Sequence, residues 1–176
     1  MSPAVDLLSQ YAAYHRDQRN IATHFVGVPL IVFGVGVLLS KPALALDGLP
    51  QAFQLTPGWL AVVLASIWYL TRGGLALGAA VSAWVGALVL LGHQVSVTTG
   101  HWLAWGAGAF LLGWMLQFVG HWYEGKKPAF VDDVSGLLVG PMFITAEAMF
   151  ARGWNAPMHQ EIERRAGPTF VRDMAT

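Results

Sequence analysis

The chain contains no cysteine, which removes disulfides, thiolate nucleophiles and Cys-ligated zinc at once. Histidine, aspartate and glutamate are left as candidate metal ligands. Charge is nearly as scarce: 10 basic and 10 acidic residues in 176 cancel to a net charge of zero. Between Asn20 and Tyr123 the only charged side chains are Lys41, Asp47 and Arg72. A soluble helical domain needs a charged outer face on every helix, so a block this bare belongs in lipid. A soluble enzyme, a disordered chain and a nucleic-acid binder are thereby excluded. HExxH, G-x-S-x-G, P-loop and GxGxxG signatures are also missing, leaving zincin, serine hydrolase and nucleotide readings unsupported. The first 20 residues lack the basic start and apolar centre of a signal peptide, so the membrane segments are expected to persist in the mature protein.

What is present is apolar, at 55% hydrophobic residues. Val5, Leu8 and Ala12 recur at helical spacing, with Asp6, Gln10 and Asp17 elsewhere, predicting an interfacial helix over roughly 4–18 within the segment 1–20. Apolar runs at 21–40, 58–71, 75–92 and 102–120 predict four transmembrane helices, the middle two forming a hairpin around Thr71-Arg72-Gly73-Gly74. The expected fold is all-α, an integral membrane four-helix bundle in a single domain. The region 121–176 is expected to be cytoplasmic or interfacial. Within it the apolar stretch 136–150 is short and carries Pro141 and Glu147, predicting a re-entrant or interfacial segment.

Four crossings put both termini and the Arg72 turn on one side. Arg16, Arg19, Arg72, Lys126, Lys127, Arg152, Arg164, Arg165 and Arg172 share that side, against Lys41 on the other. The positive-inside rule then places both termini in the cytoplasm, at the inner membrane for a bacterial chain. His15, His24, His121 and His159 are sorted to the cytoplasmic interface. His93 and His101 fall at the opposite face, about 30 Å away.

Two polar clusters carry the chemistry. In residues 13–30, AYHRDQRNIATHFVGVPL, His15 and His24 are nine apart and lie on opposite faces of an unbroken helix. They share a site only if the chain bends between them. Asn20, one turn before His24, is placed to orient that ring. In residues 117–133, QFVGHWYEGKKPAFVDD, His121 and Glu124 face the same way on a helix, and Gly120 leaves room for a neighbouring helix. A polar pair at an apolar helix end costs free energy unless it is used. Neutral imidazoles with a carboxylate and open positions form the pattern of non-haem iron oxygenases. The nearby Arg16, Arg19, Lys126 and Lys127 suit an anionic head group, with membrane-surface anchoring as the plainer reading of the lysines.

Taken in order, YHRDQRNIATHFVGVPL, QFVGHWYEGKKPAF and GLLVGPMFITAE resemble the membrane 2-hydroxy fatty acid dioxygenases of phytosphingosine degradation and their bacterial relatives. The resemblance covers most of the chain, with the middle hairpin matching in hydrophobicity alone. It implies a small multi-span protein that binds Fe2+ through histidines and converts a 2-hydroxy fatty acid, with O2, to the acid one carbon shorter. His15, His24 and His121 match the family's histidines, Asn20 and Pro29 its flanking pattern, and Glu124 its acidic position. A fourth iron-binding histidine is implied, for which His93, His101 and His159 are available and topology favours His159. Two other functions fit the residues: a haem-binding electron-transfer protein with His24 and His121 as axial ligands, and a non-catalytic membrane scaffold.

Overall fold

A computed structural model describes residues 3–44, 48, 50 and 54–174. Asp47 lies outside them. Among the described residues the protein is all-helical: α1 (Pro3–Ala12), α2 (Gln18–Leu38), α3 (Pro57–Thr98), α4 (Trp102–Glu124), α5 (Gly136–Phe150) and α6 (Ala156–Ala166), with a single 3-10 turn at Ala129–Val131.

The helices α2, α3 and α4 are long and apolar enough to cross a membrane. Their outward side chains agree, since Leu103, Trp105, Leu111, Met115 and Phe118 on α4 and Leu60, Val63, Leu64 and Ile67 on α3 stand exposed. So continuous an apolar surface is a lipid-facing one. The 42 residues of α3 are interrupted at Gly74, whose φ of 73° and ψ of 177° are not helical. The chain doubles back there: a Cβ on Gly78 would lie 2.5 Å from the Tyr69 carbonyl oxygen, and one on Gly86 would touch Val62. Both halves therefore run antiparallel and close together, as a hairpin around Arg72 requires.

α2 and α4 pack antiparallel along a seam of glycines seven residues apart, Gly27 and Gly34 on one helix, Gly106, Gly113 and Gly120 on the other. A Cβ on Gly113 would stand 2.7 Å from the Gly27 carbonyl oxygen, and one on Gly34 would stand 2.7 Å from the Phe110 nitrogen. The backbones meet because no side chain separates them. α3 packs on another side of α2 and hardly meets α4, which leaves a space between them.

α5 is a core element. Val139, Met142, Phe143, Ile144 and Ala146 are buried, and the helix packs against α1, α2 and α3. Its fifteen residues carry one charge, Glu147, in keeping with a helix mostly covered by protein. α1 is shorter than the sequence predicts, ending at Ala12, and α2 begins at Gln18 rather than at Ile21. Asp17 is the reason for the early start, since its side chain caps α2 by accepting from the Arg19 N–H at 2.8 Å.

Candidate metal centre

The bend that His15 and His24 need is built into residues 13–17. The Arg16 guanidinium donates through Nε to the carbonyls of Ala12 (2.9 Å) and His15 (3.0 Å), closing the end of α1. On the other side, the Glu124 carboxylate accepts from the backbone N–H groups of Arg16 (2.9 Å) and Asp17 (2.8 Å) and from the Asn20 amide (3.1 Å). Glu124 ends α4, so this grip fixes the linker carrying His15 onto the helix carrying His121. The C-terminal tail closes the outside, with Gln18 N–H donating to the Phe170 carbonyl and Phe170 N–H to that of Arg16, both at 2.9 Å.

The result is a buried trio. His15, His24 and His121 each offer one nitrogen within 4.8 Å of the others. Their ring centroids are 4.5 Å apart for His15 and His24, 4.8 Å for His15 and His121, and 5.3 Å for His24 and His121. Tyr11 stacks on the other face of His15 at 4.0 Å, and Phe143 lies 5.5 Å from the same ring.

Hydrogen bonding fixes how two of these rings are protonated. His15 Nδ1 donates to the Tyr11 carbonyl (2.7 Å) and His24 Nδ1 to the Asn20 carbonyl (2.9 Å). A carbonyl oxygen only accepts, so both Nδ1 atoms hold hydrogens and both Nε2 atoms of the neutral rings carry lone pairs. Burial, and after it the neighbouring His24 and His121, hold His15 well below the usual imidazole range, so its ring is neutral near pH 7. Yet the two Nε2 atoms face each other at 3.1 Å. Lone pairs so close repel unless a cation lies between them. Two imidazole nitrogens bound to one divalent ion at about 2.1 Å, with angles of about 90–110°, stand about 3.0–3.4 Å apart. His121 Nδ1 is buried with no hydrogen-bond partner, one more nitrogen lacking a proton-sharing neighbour. The donor set fits a divalent transition ion whose ligands are held from behind by backbone carbonyls.

The remaining predicted residues lie elsewhere. His159 is half exposed on α6, stacked 4.7 Å from Phe150 and 3.7 Å from Glu163, and is not part of the trio. His93 is buried on α3. His101 precedes α4, twenty residues or about 30 Å of helix from His121. The four basic residues are engaged within the protein. Arg16 donates to the Gly167 carbonyl (3.0 Å), Arg19 is held by Asp17 (2.7 Å) and lies 4.6 Å above the Tyr123 ring, Lys126 donates to the Ala13 carbonyl (2.7 Å), and Lys127 pairs with Asp132 (2.5 Å). Asp17 is pulled down to about 2, first by the Arg19 guanidinium.

Below the trio opens an apolar cavity of about 370 Å³. It starts at Tyr11, His24 and His121 and follows Val28, Ile31, Val32, Val35 and Leu39 along α2. From His24 to Leu39 the helix rises about 22 Å, longer than one leaflet of about 15 Å. At its far end Gly58 N–H donates to the Leu39 carbonyl at 2.9 Å, tying the start of α3 to the end of α2. Tyr11 and Gln117, which the sequence reading assigned no role, line it near the histidines. Gln117 was legible, as a lone amide one turn before His121 in an apolar helix.

The sequence has relatives among known proteins. The family model described as "2-hydroxy-palmitic acid dioxygenase Mpo1-like" matches residues 1–152. The "2-hydroxy-palmitic acid dioxygenase MPO1" of Saccharomyces cerevisiae is 33% identical over 165 residues, covering 90% of this chain and 88% of the yeast protein. No solved structure matches.

Proposed function

Because the chain belongs to the Mpo1-like family, we propose that it is a ferrous-iron-dependent dioxygenase that cleaves the C1–C2 bond of 2-hydroxy fatty acids and releases the acid one carbon shorter. The observation that carries this reading is the pair of lone-pair nitrogens, His15 Nε2 and His24 Nε2, facing each other at 3.1 Å at the head of an apolar cavity. The reaction closes with O2 as the sole oxidant: RCH(OH)COOH and O2 give RCOOH, CO2 and H2O.

His15, His24 and His121 would hold the ion. When bound, ferrous iron supplies the Lewis acidity that gathers the substrate's carboxylate and 2-hydroxyl and the redox chemistry that engages O2. The Tyr11 and Asn20 carbonyls keep Nδ1 protonated, so each Nε2 stays available as a ligand. Glu124 acts through His15, holding the linker in place by its bonds to Arg16 and Asp17. The acyl tail lies along α2, where apolar walls exclude water and pay for extracting the chain from lipid. Arg16, Arg19, Lys126 and Lys127 lie at the histidine end of the bundle, where Arg19 and Lys127 are paired with Asp17 and Asp132 and where Arg16 and Lys126, which donate to backbone carbonyls, favour an anionic lipid.

The histidine centre, the Arg72 hairpin and both chain ends lie at one face in this reading, with four crossings and both termini cytoplasmic. The contact of Gly73 with Met142, next to the Phe143 that meets His15, supports a hairpin turn at the histidine end. Three converging imidazoles are one more than the two axial nitrogens a haem takes, so the trio favours a histidine-held ion over the haem reading.

Purified protein supplied with ferrous iron and O2 is expected to convert 2-hydroxypalmitate to pentadecanoate and to leave palmitate untouched, since palmitate lacks the second chelating oxygen. Equal turnover of the two acids, or product formed without O2, would overturn the dioxygenase reading.

A further inference from the structure

Near the histidines the cavity has no cation with which to meet a carboxylate. Arg16, Arg19, Lys126 and Lys127 are absent from its lining and are bonded to other groups of the protein. Two uncharged polar side chains stand there instead, Tyr11 and Gln117, and of these Gln117 has a buried donor with no acceptor. Gln117 lies one turn before His121 on α4, so both side chains project from the same helix face. It is 5% exposed, and its Nε2 has no hydrogen-bond partner.

Its place is prepared by the opposite helix. The amide lies against Gly27, one turn after His24, where a Cβ would collide with Nε2. Gln117 therefore occupies space that Gly27 provides, beside the two helical ligands of the metal trio. An amide N–H buried without an acceptor costs free energy that an apolar residue of the same size would not. Such a donor is explained by an acceptor that arrives with the ligand.

We propose that Gln117 is the residue that recognises the substrate's carboxylate, donating its Nε2 hydrogen to a carboxylate oxygen while the alkyl chain occupies the cavity along α2. This assignment rests on the dioxygenase reading. A neutral donor suits the position because the charge of the carboxylate is balanced by the metal beside it, and a second cation would compete with that ion for the pocket. The amide instead fixes the orientation of the head group, which decides which carbon is presented for cleavage.

The test uses iron-loaded protein under anaerobic conditions, so that binding is read without turnover, with two probes of equal chain length: 2-hydroxypalmitate and hexadecane-1,2-diol, which lacks the carboxylate. Gln117→Leu is expected to weaken binding of the acid by roughly tenfold, the scale of one hydrogen bond to a charged group, and to leave diol binding and iron content unchanged. Gln117→Glu should weaken the acid further by like-charge repulsion, and Gln117→Asn, which keeps the amide but draws it back by one methylene, should lose part of the acid affinity and none of the diol affinity. Unchanged acid binding by Gln117→Leu, or equal losses on acid and diol, overturns the assignment. If wild-type protein binds neither probe, the dioxygenase reading itself has failed and this inference falls with it.

Discussion

Glu124 and Gln117 sit seven residues apart on α4, both buried, with opposite surroundings. Glu124 has its oxygens taken up by the Arg16 and Asp17 backbone and the Asn20 side chain. Gln117 has a donor that nothing in the protein accepts. The first is a joint between α4 and the bend before α2, and its removal harms the fold. The second ties no two elements together through its Nε2, and on the proposal above its removal harms chiefly what the cavity holds. Buried polar groups in one helix thus divide into those that shape the site and those kept in reserve for a ligand.

The sharpest way to break this comparison is at the joint and the ligands it positions. Replacing His15, His24 or His121 singly by alanine should abolish oxygen uptake on 2-hydroxypalmitate, because two nitrogens do not retain the ion. Glu124→Ala should strand two backbone N–H groups and take one of two acceptors from the Asn20 amide, destabilising the protein by about 3 kcal/mol or more, read as a lowered thermal midpoint in detergent. Gln117→Leu should leave the ligand-free protein as stable as the wild type or more stable by about 1 kcal/mol, since an unpaired amide is replaced by an apolar side chain. If Gln117→Leu costs as much as Glu124→Ala, the distinction between the two residues collapses.

Acidification gives a smaller effect with a definite sign. Burial holds His15 below its ordinary value, so the unfolded chain takes up that proton first as the pH falls. The metal-free protein should keep full stability above about pH 6.5 and lose it progressively below, as protonation favours the unfolded state. Stability that rises on acidification from pH 7 to 5 would contradict a neutral, buried His15. Smallest of all is His159→Ala, expected to change stability by no more than about 0.5 kcal/mol and to leave iron content intact, because the ring is half exposed and stacked on Phe150.

Much of the architecture was legible in the sequence because lipid imposes simple rules. The apolar runs predicted the long helices, and Gly73-Gly74 marked the turn that α3 makes at Gly74. The nine-residue spacing of His15 and His24 demanded a bend, which the structure supplies at residues 13–17. The details that escaped are those carried by the backbone. Asn20 was expected to orient His24 through its amide. Its carbonyl accepts from His24 Nδ1 instead, and the amide serves Tyr14 and Glu124. The tail strapped across Arg16 and Gln18 uses main-chain bonds that leave no mark on residue type. Charge was visible while its partners were not, so the engagement of Arg19 by Asp17 and of Lys127 by Asp132 had to come from the fold. The seven-residue glycine seam between α2 and α4 was present in the sequence, at 27, 34, 106, 113 and 120, and is the pattern that brings His24 to His121.

The central claim is that three imidazoles converge to hold one ferrous ion, and iron content per chain tests it most directly. Protein purified under anaerobic conditions with ferrous iron and freed of excess metal should carry one ion per chain as wild type and as His93→Ala or His159→Ala, and none as His15→Ala, His24→Ala or His121→Ala. Wild-type protein that retains no iron, or a His24→Ala variant that retains as much as wild type, would contradict the account.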